Sequence, residues 1–227
     1  MKSSAVGTLD KKWERLLRYA HHFRHVPFVD FVLAAGSMAM GTARDDSDFD
    51  VIVGVSFGRI FTVRMITALL FGLLGARRWK ADHKENAKDK LCFNHFVTPA
   101  GYTLDPPRNE YWACLYRRLV PIYGADEAIE KFFSANEWCG RRQTALQCAV
   151  PAPRHESAPS AVRCVLERIL GGGLGDAVED LCRRYQVRRI EKNIGDSLGY
   201  KPYVKYDDDE IRFHIDTRRI EEWVNSL

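Results

Sequence analysis

No apolar run in the 227-residue sequence is long enough to cross a bilayer, which needs about 20 such residues. The strongest candidate, Ile60–Gly75, falls short and carries Arg64, so a buried helix is expected there. The opening MKSSAVGTLDKKWERLLRYAHHF lacks the continuous apolar core of a signal peptide. The six cysteines are scattered at 92, 114, 139, 148, 164 and 182, with no C-x-x-C and no Cys/His group at zinc-ligand spacing. Reduced thiols in a cytoplasmic protein with no membrane partner are therefore expected. His21, His22 and His25 sit together but lack a Glu or Cys at useful spacing, so a metal site is not expected there. Nucleotide fingerprints of the phosphate-loop and dinucleotide kinds are missing. GGGLGD at 171–176 has no lysine and no preceding strand, and reads as a helix break. There is no internal repeat, no heptad pattern and no aromatic–basic interleaving of an RNA-recognition module. Charge of one sign is in only slight excess: 34 basic against 30 acidic residues, net +4, pI about 8.7. Such a balance permits a polyanionic partner without requiring one.

What is present is enough apolar material, 46% of residues, to build a sizeable core in one domain or two. Trp13, Leu16, Leu17 and Ala20 recur at helical spacing, which predicts an amphipathic helix over 9–25. Pro27 ends it, and strands are expected at Phe28–Ala35, Asp48–Val55 and Leu91–Thr98, with the Ile60–Gly75 helix between the second and third. This is an α/β (α+β) pattern, a small mixed sheet with flanking helices. PAGYTLDPPRN, with its Pro-Pro pair at 106 and 107, suggests a boundary. A domain over 1–104 and a mostly helical domain over 105–227 follow, the latter with a Pro- and Ser-rich connector at 151–160. EYWACLYRRLVPIYG and ADEAIEKFFSANEWC read as helical, the chain's end as a loop, a strand-like piece and a terminal helix.

The chemistry concentrates in GSMAMGTARDDSDFDVIV, Gly36–Val53. Side chains alternate along a strand, so Asp48 and Asp50 fall on one face and Phe49 on the other. Two carboxylates side by side repel unless a cation sits between them, and hard oxygen donors suit Mg²⁺ or Mn²⁺. If the preceding strand pairs beside this one, the Gly36–Ser37 amides and the Ser37 hydroxyl can meet a phosphate, and Gly41 lets the turn approach it.

Gly-Ser, three residues, Gly, five residues and Ser-Asp-x-Asp before an apolar run resembles the signature of the DNA polymerase beta-like nucleotidyltransferases. It is most similar to that of the small prokaryotic nucleotidyltransferase-domain proteins. The resemblance covers Phe28–Val55 and extends weakly through the third strand. It implies a nucleotidyltransferase-type sheet in which Gly36 and Ser37, with Gly41 and Ser47 in the same signature, bind nucleotide, and Asp48 and Asp50 are the catalytic metal ligands. The implied reaction moves a nucleoside monophosphate from a triphosphate, ATP being the expected donor, to the hydroxyl of a small molecule, an RNA end or a protein. The alternative is a catalytically weakened nucleotide-binding or regulatory protein acting through a protein or RNA partner.

The family usually adds a third carboxylate from a later strand, and here that strand offers Asn94, with Asp89 just before it and Asp105 more remote. Period two places Cys92, Asn94 and Phe96 on one face and Phe93, His95 and Val97 on the other. Met38 and Met40 stand where many relatives carry a basic residue. They are expected to pack inward, leaving Arg44, the RRWK at 77–80, Lys88 or Lys90 as phosphate or acceptor contacts. Trp138 is expected at a helix seam. Arg184, Arg188, Arg189 and Lys192 form a basic strip on one helix, whose simpler reading is a solvated face balanced by neighbouring acids.

Overall fold

The computed structural model of the chain describes residues 2–79, 87–104, 108–140, 158–194, 203–214 and 222. In chain order these form α1 (Lys2–Ala20), β1 (Val29–Ala34), α2 (Gly36–Ala39), β2 (Phe49–Val55), α3 (Ile60–Leu73) and β3 (Leu91–Val97). They continue as α4 (Glu110–Arg117), β4 (Val120–Gly124), α5 (Asp126–Ala135), α6 (Ala161–Leu170), α7 (Gly173–Ile194), β5 (Tyr203–Tyr206) and β6 (Glu210–His214). The strands make one mixed sheet in the order β4-β1-β2-β3-β6-β5. Only β2 and β3 run parallel; the other neighbours are antiparallel.

The central strands are apolar on both sides because helices cover both faces. Along β1, Val32 and Ala34 join Trp13 and Leu16 of α1 and Phe61 of α3 on one face. Phe31 and Leu33 face the other way, against Trp112 and Tyr116 of α4 and Phe132 of α5. In β2 the same alternation sends Val51 and Val53 to the α1–α3 side and Ile52 to the α4–α5 side. Asp50, two residues before Ile52, shares the α4–α5 side.

This arrangement corrects the expected division at 104/105. β4 pairs with β1, and β6 pairs with β3, so the later half supplies three strands to the sheet begun by the first half. The misread element is LVPIYG. Its sequence reads as the end of a helical stretch, but β4 is an edge strand, where a proline without an N–H is tolerated. The tract 151–157 and the expected terminal helix, apart from Glu222, lie outside the described residues. No helix among the described residues is long and apolar enough to cross a membrane.

Candidate metal and nucleotide site

The site forms where β1 ends and β2 begins. Ala35 N–H donates to the Asp50 carbonyl at 2.9 Å, tying the two strands together at that point. The chain then turns at Gly36 with φ +57°, a left-handed conformation that favours glycine. A Cβ on Gly36 would lie 2.2 Å from Asp50 Oδ2, so the glycine backbone lies directly against this carboxylate. Ser37 follows in α2; its carbonyl accepts from Thr42 N–H at 2.9 Å. Met38 is fully buried, as expected.

Across the sheet, β3 brings two side chains to the same corner. One oxygen each of Asp48 and Asp50 and the Sγ of Cys92 lie within 4.8 Å of one another, forming the metal-competent cluster found among the described residues. Asn94 Nδ2 donates to Asp50 Oδ1 at 3.4 Å, a long bond. A bulge contributes to this placement: Asp50 pairs with Cys92 but Ile52 pairs with His95, so three residues of β3 oppose two of β2. Cys92 and Asn94 therefore face the acids before the bulge. Beyond it Phe96 packs on the α1–α3 side and Val97 on the α4–α5 side. Strict alternation had placed Phe96 with Asn94 and Val97 opposite, and the extra residue reverses both.

Charge at this corner is only partly balanced. Arg78 Nη1 donates to Asp48 Oδ2 at 2.5 Å. Burial, and then the neighbouring Asp48 charge, push the Asp50 carboxyl up to about 7 against the opposing pull of Arg78. Burial and the two carboxylates also push the Cys92 thiol up, so it is protonated in the absence of a cation.

The other expected contacts serve the framework. Asp89 is not part of the cluster: Lys12 Nζ donates to its Oδ1 at 2.7 Å, and Arg15 pairs with its other oxygen. Ser47 Oγ accepts from Arg44 N–H at 2.9 Å, closing the turn before β2. The Arg44 side chain is exposed and lies 3.4 Å from Asp46, and Lys88 pairs with Asp45. The Lys90 carbonyl accepts from Phe49 N–H at 2.9 Å, and Gly41, at φ +69°, donates to Met38 O at 3.1 Å. Asp105 and Lys80 lie outside the described residues. Trp138 sits at a seam as expected, its Nε1 donating to Asn136 Oδ1 at 3.1 Å and its ring meeting Tyr116 edge-on. Cys92 is the member that sequence reasoning missed. The signal was its period-two relation to Asn94, set aside because scattered cysteines read as structural. Arg78 was visible only as one of four residues in RRWK. Hollows of about 370 Å³ beside Tyr116, Phe133 and Glu137 and about 400 Å³ beside Asp30 and Arg163 are lined by none of the cluster's residues.

Compared with known proteins, the chain matches no family model, no curated protein and no solved structure.

Proposed function

We propose that the protein is a metal-dependent nucleotidyltransferase, moving a nucleoside monophosphate from a triphosphate, ATP the expected donor, to an acceptor hydroxyl. The observation that carries this reading is the convergence of Asp48, Asp50 and the Gly36 backbone at one corner. Their order in the chain is that of the nucleotidyltransferase signature they resemble.

A divalent ion fits the donor set. Two carboxylate oxygens and a thiol lie close enough to share one ion, and burial beside the Asp48 charge holds Asp50 as a poor anion. Asp48 and Asp50 would hold it, with Cys92 and Asn94 at its border. The thiol is a soft donor, which favours Mn²⁺ over Mg²⁺. When bound, such an ion supplies charge that offsets the phosphate oxygens and stabilises the transferring phosphoryl group. Gly36, lacking a Cβ, lets the turn lie against the Asp50 carboxylate, which brings the start of α2 beside the ion that Asp50 would hold. Arg78 either shares Asp48 with the ion or turns to the triphosphate.

A second reading, nucleotide binding without transfer, is favoured by one observation: the third position holds an amide, Asn94, which cannot accept a proton from the acceptor hydroxyl as a carboxylate would. Calorimetric titration of ATP with Mn²⁺ tests what both readings share. The Asp48→Asn/Asp50→Asn protein should fold and lose at least about tenfold in affinity, the lower end of the loss seen even for residues one shell beyond a metal's ligands. Undiminished binding would sink both. Incubating the parent with labelled ATP, Mn²⁺ and RNA or small hydroxyl acceptors then separates transfer from binding alone.

A further inference from the structure

A second cluster of like charge lies on the α1–α3 side of the sheet. Arg64, in α3, donates from Nη1 to Gln186 Oε1 of α7 at 2.5 Å. Gln186 in turn donates to the Phe61 carbonyl at 2.7 Å, clamping α7 to α3. Arg189 lies three residues beyond Gln186 and so on the same side of α7. Arg77 follows α3 and reaches back, its Nη1 3.4 Å from the Ala68 carbonyl, one turn past Arg64. Arg189 Nη1 donates to the exposed Tyr185 hydroxyl at 3.3 Å, and the charges of Arg77 and Arg189 are both felt at Arg64.

None of the three is paired with a carboxylate among the described residues, although other arginines on these helices are: Arg183 with Asp208 and Arg184 with Asp180. Arg64 Nε is buried without a hydrogen-bond partner. The Arg64 guanidinium lies 5.1 Å from the Phe213 ring centroid, and that of Arg77 lies 4.4 Å from the centroid of half-exposed Trp79. Burial, then the charges of Arg77 and Arg189, push Arg64 down to about 10, still cationic at neutral pH. Burial and Arg189 lower Arg77 as well. Planar forks of N–H donors without an acid are suited to a phosphate, which accepts from several at once.

The notch is joined to the acid corner by one peptide bond. Arg77 bridges in parallel to Leu91 at the start of β3, and Arg78 N–H donates to the Leu91 carbonyl at 2.9 Å. Neighbouring residues of an extended segment point to opposite faces. Arg77 accordingly serves the notch, and Arg78 reaches Asp48. A ligand that offers a phosphate to one side of the Arg77–Arg78 segment and a hydroxyl to the other has the chemistry of a polynucleotide end.

We propose that Arg64, Arg77 and Arg189 form a phosphate-binding notch that holds a backbone phosphate of a single-stranded nucleic-acid acceptor, its terminal hydroxyl reaching the Asp48–Asp50 corner. The destination of the hydroxyl rests on the transfer reading above; the grip on the phosphate does not.

Fluorescence anisotropy of a labelled single-stranded oligoribonucleotide with the full chain, in EDTA and without triphosphate, tests the grip alone. Arg77→Gln and Arg189→Gln should each weaken binding roughly tenfold or more, as expected for loss of a charge-assisted hydrogen bond. Each should also lower the slope of log affinity against log salt by about one. Arg184→Gln, which removes a paired arginine from the same helix, should change neither. The Asp48→Asn/Asp50→Asn protein should keep the oligonucleotide while losing Mn²⁺-dependent ATP, so failure of one proposal is separable from failure of the other. Parent-like affinity in both the Arg77 and Arg189 variants overturns the notch. Binding of inorganic pyrophosphate or of phosphatidylserine vesicles in place of RNA would assign the cluster to a small anion or a lipid and overturn the nucleic-acid acceptor.

Discussion

Asp89 and the Asp48–Asp50 pair stand at the starts of two parallel strands, yet their charges are handled in opposite ways. Asp89 lies between two cations, one of them Lys12, whose side chain is only 4% exposed. Its N–H also donates to the Ser47 carbonyl at 3.1 Å, so it fastens α1, the turn before β2 and the start of β3 together. Asp48 and Asp50 have one guanidinium between them, and that one is 39% exposed. Burial, and then the Asp48 charge, make Asp50 hold its proton to about 7 despite Arg78. A carboxylate with matched cations is a structural tie. A pair with too few is a place where a cation from solution lowers the free energy, which is how perturbed acids come to mark functional sites.

The largest effect separating the two groups is expected from Asp89→Asn. It would leave the Lys12 ammonium buried without its acid, and breaking a buried pair in this way costs about 3 kcal/mol or more. Chemical denaturation should register that loss, whereas the Mn²⁺-dependent affinity for ATP, measured well below the melting temperature, should match the parent. If affinity fell while stability held, Asp89 would belong with the metal ligands and the contrast between the groups would collapse.

A smaller effect concerns pH. The folded-state carboxyl of Asp50 is raised from its ordinary 3.8 to about 7, so between those values the folded chain binds more protons than the unfolded chain. Its contribution to stability is fully present below about pH 4 and is lost as pH rises through about 7. Each tenfold gain in proton affinity on folding is worth about 1.4 kcal/mol, and the residual exposure of Asp50 reduces the total, leaving roughly 1–2 kcal/mol over the window. In EDTA, Asp50→Asn should therefore remove a downward slope of stability with pH and leave the variant the more stable protein at pH 8. Parallel pH profiles for parent and variant would show that Asp50 ionises as an ordinary surface acid.

The contrast between the acids was partly legible in the chain. Gly36, Asp48 and Asp50 lie within fifteen residues, and strand alternation alone puts the two acids on one face. Asp89 could not be assigned, because its partners Lys12 and Arg15 lie on α1, more than seventy residues earlier. Only tertiary packing brings them together. The β3 bulge was invisible for a related reason: it shifts Phe96 and Val97 without leaving a glycine or proline as a mark. The basic notch was least legible of all. Arg189 looked like one member of a strip with Arg184 and Arg188, yet its charge is felt at Arg64 across α7 and α3, while Arg184 pairs with Asp180. Local motifs survive translation into structure; clusters assembled from distant elements have no spacing to read.

The smallest and most discriminating change is Asn94→Asp. Asn94 now gives Asp50 a single long hydrogen bond at 3.4 Å, so the substitution removes little and adds a third negative charge to the corner. Without metal at pH 8, the variant should be less stable than the parent by about 1 kcal/mol, a partly solvated like-charge contact being weaker than a buried one. Mn²⁺ should reverse the order, since a third carboxylate oxygen adds charge to the donor set that Cys92 supplies only as a protonated thiol. The melting temperature should then rise on adding Mn²⁺ by more in Asn94→Asp than in the parent, while the rise in Asp89→Asn should equal the parent's. If the protein also transfers nucleotide, a carboxylate at 94 gives the acceptor hydroxyl a proton acceptor that an amide cannot provide, and turnover should increase. A metal-induced rise no larger in Asn94→Asp than in the parent would remove residue 94 from the ion's surroundings, leaving Cys92 as the only β3 donor to the site.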